Sequence, residues 1–271
     1  MEINTKKVEQ IITKSKLPDA DYVCNPYIGC PHKCIYCYAE FMKKFIKASN
    51  EWGDFIYIKE FDKINKNQLK KGQTVLLSSV TDPYNPFENK YLSTRKILKQ
   101  LLGTDSHVEI LTKSSLVIRD IDILKQFSDL SVGISMNTLD DSFRKKIELG
   151  ASNIEKRLEA LKELKRNNIK TYLFISPIFP EITNCKEIID AVRDSVDYIC
   201  FENLNLRGKY KNKVMELIKN SYPNLIELYN DIFVRNNNLY WEYLKKNIES
   251  YCNAVNVKYR IYFYHNKIKK Q

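Results

Sequence analysis

The sequence predicts an α/β fold around a parallel sheet that closes as a barrel or as part of one. Three observations predict it. Six short runs of strand type follow one another along the chain, and each is succeeded by a segment with helical spacing or helix-start residues. Each run ends in a polar tip, as in folds whose chemistry sits where strands stop and loops begin. Only seven glycines occur, with no GxGxxG and no GxxxxGK[ST], which argues against a dinucleotide or P-loop version of such a sheet.

The first run, Tyr22 to Tyr27, leads into the cysteine-rich stretch NPYIGCPHKCIYCYAEFM. Thr74 to Ser78 leads into SSVTDPYNPFE, and the following STRKILKQLL opens with Ser93, a residue type suited to cap a helix. Val108 to Leu111 leads into TKSS, after which Asp120 to Phe127 spaces Ile121, Leu124 and Phe127 at helical intervals. Val132 to Met136 leads into SMNTLDD. Asn153 to Leu164 is the clearest amphipathic helix, with Ile154, Leu158, Leu161 and Leu164 on one stripe. Thr171 to Ile175 leads into SPIFPE, and Tyr198 to Phe201 into ENLNLRG. Strand and helix pairs in this order call for right-handed crossovers, which point all six tips at one cavity.

From about Lys209 the pattern changes to helices, with KYRIYFYH as a final strand. The aromatics Tyr229, Phe233, Tyr240, Trp241 and Tyr243 read as the apolar face of a helix laid across the barrel opening, where it excludes water. Stacking on unpaired bases is the other use of such a stripe. The expected division is a core over residues 1–207 and a helical and strand extension over 208–271, packed on the core.

A chain of 271 residues with 44% hydrophobic content can bury a substantial core. No secretory signal and no apolar run of about 18 residues is found, so a cytoplasmic, reducing setting without membrane contact is expected. Seven cysteines there suggest metal or redox chemistry before disulfides. The formal charge of +11 is mostly scattered lysine; the clusters KYKNK (209–213) and NKIKKQ are too short for a dedicated nucleic-acid arm.

Cys30, Cys34 and Cys37 carry the sharpest signal. A [4Fe–4S] cube has four irons, each wanting a thiolate, so three cysteines on a short loop cap three irons and leave one open. An open position is what separates a reactive metal from a structural one. Cys24 would allow a closed four-thiolate zinc or rubredoxin-like iron site, but the stretch has one knuckle where structural zinc sites use two; Cys24 reads better as a small buried strand residue. Cys185, Cys200 and Cys252 are isolated and read as core. His32 reads as exposed or as a hydrogen-bond donor.

The spacing C-x3-C-x2-C with Tyr36 before the last cysteine, placed after the first strand, resembles the radical S-adenosylmethionine (SAM) superfamily. The resemblance implies a partial TIM barrel, a (β/α)6 core, with Cys30, Cys34 and Cys37 as ligands of a [4Fe–4S] cluster. It implies that S-adenosylmethionine chelates the open iron, is cleaved reductively, and yields a 5′-deoxyadenosyl radical that takes a hydrogen atom from the substrate. NPYIGCPHKCIYCYA, SSVTDPYNPFE, LTKSSLVIRDIDIL, VGISMNT, Glu148 with Arg157, and SPIFP together resemble the spore photoproduct lyase-like subfamily, over about residues 20 to 182. ITKSKLPDADYV and EWGDFIYIK are similar to a group of small radical enzymes encoded in pairs on mobile elements, which implies a partner radical SAM protein.

By that resemblance Tyr36 lies against the adenine, Tyr38 takes part in radical transfer, and Lys113 and Ser135 contact the cofactor, Lys113 at the methionine carboxylate. The lyases carry a hydrogen-returning cysteine on the second-strand loop, where this chain places Ser79. A hydroxyl donates hydrogen atoms poorly, so the likeness does not extend to thymine-dimer repair. Asp82, Tyr84 and Glu88 on that loop, with Glu202, Asn203, Asn205 and Arg207 after the sixth strand, are the expected substrate-binding set; Asp82, Glu202 and Arg207 are its charged candidates for the catalytic centre. The substrate is left open among nucleic acid, nucleoside, peptide and metabolite. A flavodoxin or ferredoxin is the implied electron donor, and its acidity would suit a basic protein. The competing class is a noncatalytic iron–sulfur or zinc protein that binds nucleic acid through its basic surface.

Overall fold

The structure, a computed structural model, describes residues 1–46 and 50–263. The strands are β1 (Glu2–Lys7), β2 (Ile12–Lys14), β3 (Tyr22–Cys24), β4 (Tyr27–Ile28), β5 (Phe55–Glu60), β6 (Thr74–Leu77), β7 (His107–Thr112), β8 (Leu130–Ser135), β9 (Thr171–Ile178), β10 (Tyr198–Asn203) and β11 (Tyr259–Tyr262). The helices are α1 (Glu88–Tyr91), α2 (Ser93–Leu101), α3 (Ile121–Leu124), α4 (Asp141–Ile147), α5 (Ile154–Arg166), α6 (Cys185–Val192), α7 (Tyr210–Ser221), α8 (Ile226–Phe233) and α9 (Leu239–Ala254).

The main sheet runs β11-β10-β9-β8-β7-β6-β3-β2, so from β3 to β11 each strand lies beside its successor in the sheet. All of these pairings are parallel, and only the edge strand β2 is antiparallel. A sheet that never reverses its order carries its crossovers on one face and curls into a barrel, here a partial one. The six predicted strands are all present in the predicted order. Val108, Ile110, Val132, Ile134, Leu173, Ile175, Ile199 and Phe201 enter the hydrophobic core. Their alternates turn the other way: Tyr172 donates to Glu109 at 2.7 Å and stacks on Tyr198 at 4.9 Å.

Local chemistry sets the helix starts. Asp140, Asn153 and Asn184 accept from Ser142, Lys156 and Glu187 backbone N–H groups and cap α4, α5 and α6. Ser93 does not cap α2; the buried Glu88 carboxylate takes the Thr94 and Arg95 N–H groups at 2.8 and 3.2 Å. Glu88 also accepts from Tyr27 and Arg119, so it belongs to a structural ion network and not to the substrate-binding set. The predicted helix over 120–127 is a 3₁₀ turn (Ser115–Asp120) followed by the single turn α3.

The first predicted strand breaks at Asn25 and Pro26, because proline has no N–H for the ladder. β3 stays in the main sheet; β4 joins a second sheet, β1-β5-β4. The helix α9 has α6 and β11 as its main neighbours, and Tyr240 at its start accepts from Glu181 N–H on the loop after β9. β11 pairs with β10, so the C-terminal segment shares the sheet of the core. NKIKKQ and the last residues of KYRIYFYH lie outside the described residues. Among the described residues no helix is long and apolar enough to cross a membrane.

Gly133 on β8 makes room for Tyr172: a Cβ there would lie 2.2 Å from the ring. Gly133→Ala is expected to destabilise the fold by roughly 1–3 kcal/mol, read as a lower urea midpoint at unchanged m-value.

Candidate functional site

The three-cysteine loop leaves β4 through Gly29, at φ +89°, where a Cβ would strike the Phe55 carbonyl at 2.4 Å. Lys33 and Cys37 then turn the chain by donating their N–H groups to the Cys30 and Cys34 carbonyls at 3.4 and 3.2 Å. The end of α4 pins the loop from outside. Ile35 N–H reaches the Ile147 carbonyl and Gly150 N–H the His32 carbonyl, both at 3.0 Å, and Cys34 forms a β-bridge with Glu148. A Cβ on Gly150 would lie 2.2 Å from the Pro31 carbonyl, so only glycine lets these segments meet. His32 is consequently buried, against the exposure expected of it, and its Nδ1 lies 3.4 Å from Asp82 without a hydrogen bond.

Each sulfur has a different setting. Cys30 lies beside the backbone of His32 and Asp82. Cys37 lies beside the Ala39 backbone and the Trp52 indole. Cys34 faces the Lys113 ammonium and the Glu148 carboxylate, and the fields of Cys37 and Cys30 reach it. Burial pushes the Cys30 thiol up to about 12 and raises Cys34 and Cys37, while the adjacent backbone and Lys113 pull toward the thiolate. Among the described residues no three or more His, Cys, Asp or Glu side chains converge on a single-ion position. Three separated thiols on one buried loop, with the Lys113 ammonium beside Cys34, fit a polynuclear iron–sulfur cluster better than one tetrahedral ion. Cys24 stands apart, fully buried in β3 within the main core.

Beside the loop lies a buried charge network. Arg157 gives one guanidinium nitrogen to Glu148 and the others to the Ser152 and Ser135 carbonyls, each at 2.9 Å. Tyr36 donates its hydroxyl to the other Glu148 oxygen. Burial alone would raise the Glu148 pKa, but Arg157 and Lys113 outweigh it and leave the carboxyl below its ordinary 4.5. Lys113 follows β7, and its ammonium lies 5.9 Å from the Tyr36 ring centroid. Burial disfavours that ammonium, yet Glu148 and Cys34 raise its pKa overall.

Asp82 is buried and occupied: Oδ1 accepts from Thr112 at 2.6 Å and Tyr84 N–H at 2.9 Å, and Oδ2 from Lys113 N–H at 2.8 Å. It braces the β6 and β7 tips. Tyr38 is exposed and donates to the Ser79 carbonyl, while the Ser79 hydroxyl accepts from Asn25 at 3.5 Å. Glu202 accepts from Ser176 at the β9 and β10 tips, and its field reaches Tyr38. Arg207 is exposed on the following loop, within electrostatic reach of Tyr210, which in turn feels Cys37. Ser135 is buried and donates to the Ser176 carbonyl at 3.3 Å. Sequence reasoning passed over two residues here. Asn137 buries a side-chain oxygen without a hydrogen-bond partner among the described residues, and its place in SMNTLDD was the available signal. Trp52, packed with Cys30, Ala39 and Phe55, has none, since its neighbours come from other segments of the chain. A hollow of about 590 Å³ lined by Lys14, Asp19, Tyr22 and Gln73 opens at the far ends of β3 and β6, away from the thiols.

A parallel partial barrel with a thiol loop, a lysine and a buried carboxylate at the C-terminal strand ends defines an enzyme class that works through a thiolate-bound cofactor. The chain belongs to the radical SAM superfamily, whose family model matches residues 24–194. It is a radical SAM enzyme, in agreement with the superfamily resemblance read from its cysteine motif. Protein MJ0683 of Methanocaldococcus jannaschii is 39% identical over 229 residues, 84% of this chain and 86% of that one. The radical SAM Nalpha-GlyT isomerase of Pseudomonas phage M6 is 26% identical over 167 residues, 60% of this chain and 34% of that one. Spore photoproduct lyase with bound AdoMet and dinucleoside spore photoproduct superposes with TM-score 0.60 at 16% identity, over 82% of this chain and 66% of the lyase. Superfamily membership implies S-adenosylmethionine and an iron–sulfur cluster.

Glu148→Gln should cost about 3–5 kcal/mol at neutral pH, because it strands the Arg157 charge in the interior. The folded pKa of Glu148 lies below the unfolded value, so its contribution is present above 4.5 and is lost as pH falls through the folded value. Urea unfolding of both proteins across pH should therefore show the gap between them narrowing below 4.5.

Proposed function

We propose that Cys30, Cys34 and Cys37 hold a [4Fe–4S] cluster whose open iron takes S-adenosylmethionine, and that the enzyme abstracts a hydrogen atom from its substrate. The observation that carries this is the set of three thiols on one loop, clamped by the end of α4 and lying beside the Lys113 ammonium. When bound, cluster and cofactor supply reductive cleavage and hydrogen-atom abstraction. Lys113 offers the methionine carboxylate a partner, since both acids near it are already held: Glu148 by Arg157 and Tyr36, Asp82 by Thr112 and backbone N–H groups. The Tyr36 ring, edge-on to Phe179 at 5.8 Å, provides an apolar wall for the adenine. Ser135 and the unpartnered oxygen of Asn137 lie at the β8 tip as polar contacts for the cofactor.

Tyr38, anchored on the Ser79 backbone and in the field of Glu202, is assigned to hydrogen or proton transfer, with Glu202 and Arg207 orienting a polar substrate. Asp82 keeps a positioning role through His32, Lys113 and the β6 and β7 tips. Ser79 puts no thiol on the second loop, so a substrate other than a thymine photoproduct is favoured; nucleic acid, nucleoside, peptide and metabolite remain candidates. Residues 1–207 form the catalytic core and 208–271 its extension. An acidic flavodoxin or ferredoxin suits the +11 charge as electron donor, and a second radical SAM protein is a candidate partner.

Protein reconstituted anaerobically with iron and sulfide, then given dithionite and S-adenosylmethionine, should form 5′-deoxyadenosine. Cys34→Ala should abolish that product and the stable cluster, whereas Cys24→Ala should keep both; loss of iron in Cys24→Ala would overturn the ligand assignment. Lys113→Ala should retain the cluster and weaken cofactor binding at least about tenfold, or about 1.4 kcal/mol, in a calorimetric titration. An unchanged affinity would remove Lys113 from the site.

A further inference from the structure

The loop between β9 and α6 carries Phe179, whose fully buried ring meets Tyr36 of the cysteine loop edge-on at 5.8 Å. Phe179 also stands edge-on to Phe143 of α4 at 5.3 Å, and Phe143 in turn to Tyr222, at the end of α7, at 5.9 Å. A row of rings thus runs from the cysteine loop to the C-terminal extension. The extension grips the backbone of the same loop. Tyr229 of α8, fully buried, donates its hydroxyl to the Pro180 carbonyl at 3.2 Å, and the Tyr240 hydroxyl of α9 accepts from Glu181 N–H at 3.0 Å. Glu181 holds φ +57°, in the left-handed region that a residue with a side chain adopts where its surroundings impose it. Thr183 closes the turn from within: its hydroxyl accepts from Phe179 N–H and its N–H donates to the Phe179 carbonyl, both at 2.9 Å. The turn behind Phe179 is therefore a compact unit, fixed to the extension by two tyrosine hydroxyls.

We infer that Tyr229 and Tyr240 are positioning residues for the cofactor, holding Phe179 against Tyr36 so that the Tyr36 ring stands ready for the adenine; the inference rests on the cofactor placement proposed above. Tyr36 is tethered at its backbone and, through its hydroxyl, at Glu148, and a ring held at both ends can still turn about the axis between them. The edge contact from Phe179 fixes that rotation. Loss of either tyrosine hydroxyl frees one backbone position of the left-handed turn, and the turn then relaxes and carries Phe179 with it. A pocket set before binding has less ordering to do when the ligand arrives, so the extension acts on cofactor affinity through the β9 loop.

The test is a calorimetric titration of the anaerobically reconstituted protein with S-adenosylmethionine, without reductant, with iron content and urea midpoint measured on the same samples. Tyr229→Phe and Tyr240→Phe remove the hydroxyls and keep the rings. At full iron loading each is expected to weaken binding roughly threefold to tenfold, and the pair to weaken it further. In a Phe179→Leu background, itself weakened, the two changes should add little, because they act through that ring. Unchanged affinity in the fully loaded pair overturns the proposal, even if its urea midpoint falls, since that is the mark of a purely structural role. A full additional loss in the Phe179→Leu background also overturns it. Should the pair fail to load iron, the single variants carry the comparison, and failure of both singles to load overturns the proposal. Fully loaded wild type that binds no S-adenosylmethionine overturns the cofactor placement itself, an outcome seen before any variant is compared.

Discussion

The ion pair between Glu148 and Arg157 is the constraint on which the site depends. Both groups are fully buried, so neither charge is tolerable without the other and without hydrogen bonds for the remaining polar atoms. Those bonds tie distant segments together. Arg157 reaches the β8 tip through Ser135 and the start of α5 through Ser152, while Glu148 reaches the cysteine loop through Tyr36 and the bridge to Cys34. The pair thus converts helix-to-sheet packing of the barrel into a fixed position for the thiols. Lys113 stands beside this pair, and the acids near it accept from Arg157, Tyr36, Thr112 and backbone N–H groups.

Around this pair the site has two kinds of support. On the barrel side, Asp82 gathers Thr112, Tyr84 and Lys113 and so fixes how the β6 and β7 tips stand relative to each other. On the other side, the β1-β5-β4 sheet backs the loop with Phe55, Trp52 and Gly29. The loop is therefore held between two sheets that belong to different layers of the molecule. Each sulfur meets a different mix of these neighbours, which is why the three thiols are chemically unequal despite their shared loop.

What the sequence revealed followed from local period and spacing. The six strands were legible because parallel strands buried on both faces read as short Val, Ile and Leu runs, and the cysteines because C-x3-C-x2-C is a local pattern. α5 was legible through both its stripe and its Asn153 cap. The break at Pro26 could have been read from the missing N–H, but the aromatic run from Tyr22 to Tyr27 concealed it. β1 and β5 stayed hidden because their pairing joins residues far apart in the chain, with β1 mostly exposed and polar. Glu88 misled for a different reason: a carboxylate next to an Asn-Pro-Phe turn looks like a surface acid, and only tertiary structure supplies the arginine that buries it. Trp52 carried no local signal at all, since its packing against Cys30 and Ala39 is a relation between separate segments.

The clamp on the cysteine loop also bears on the order of events during synthesis. Residues that pin the loop lie as far downstream as Gly150 and Arg157, so the thiols at 30, 34 and 37 are made long before their pocket can close. Non-local contacts of this kind form late in folding. Until then the emerging chain carries three uncovered thiols open to oxidation to sulfenic acid or to mispairing. On the proposed ligand assignment, cluster insertion would wait for a barrel already more than half built.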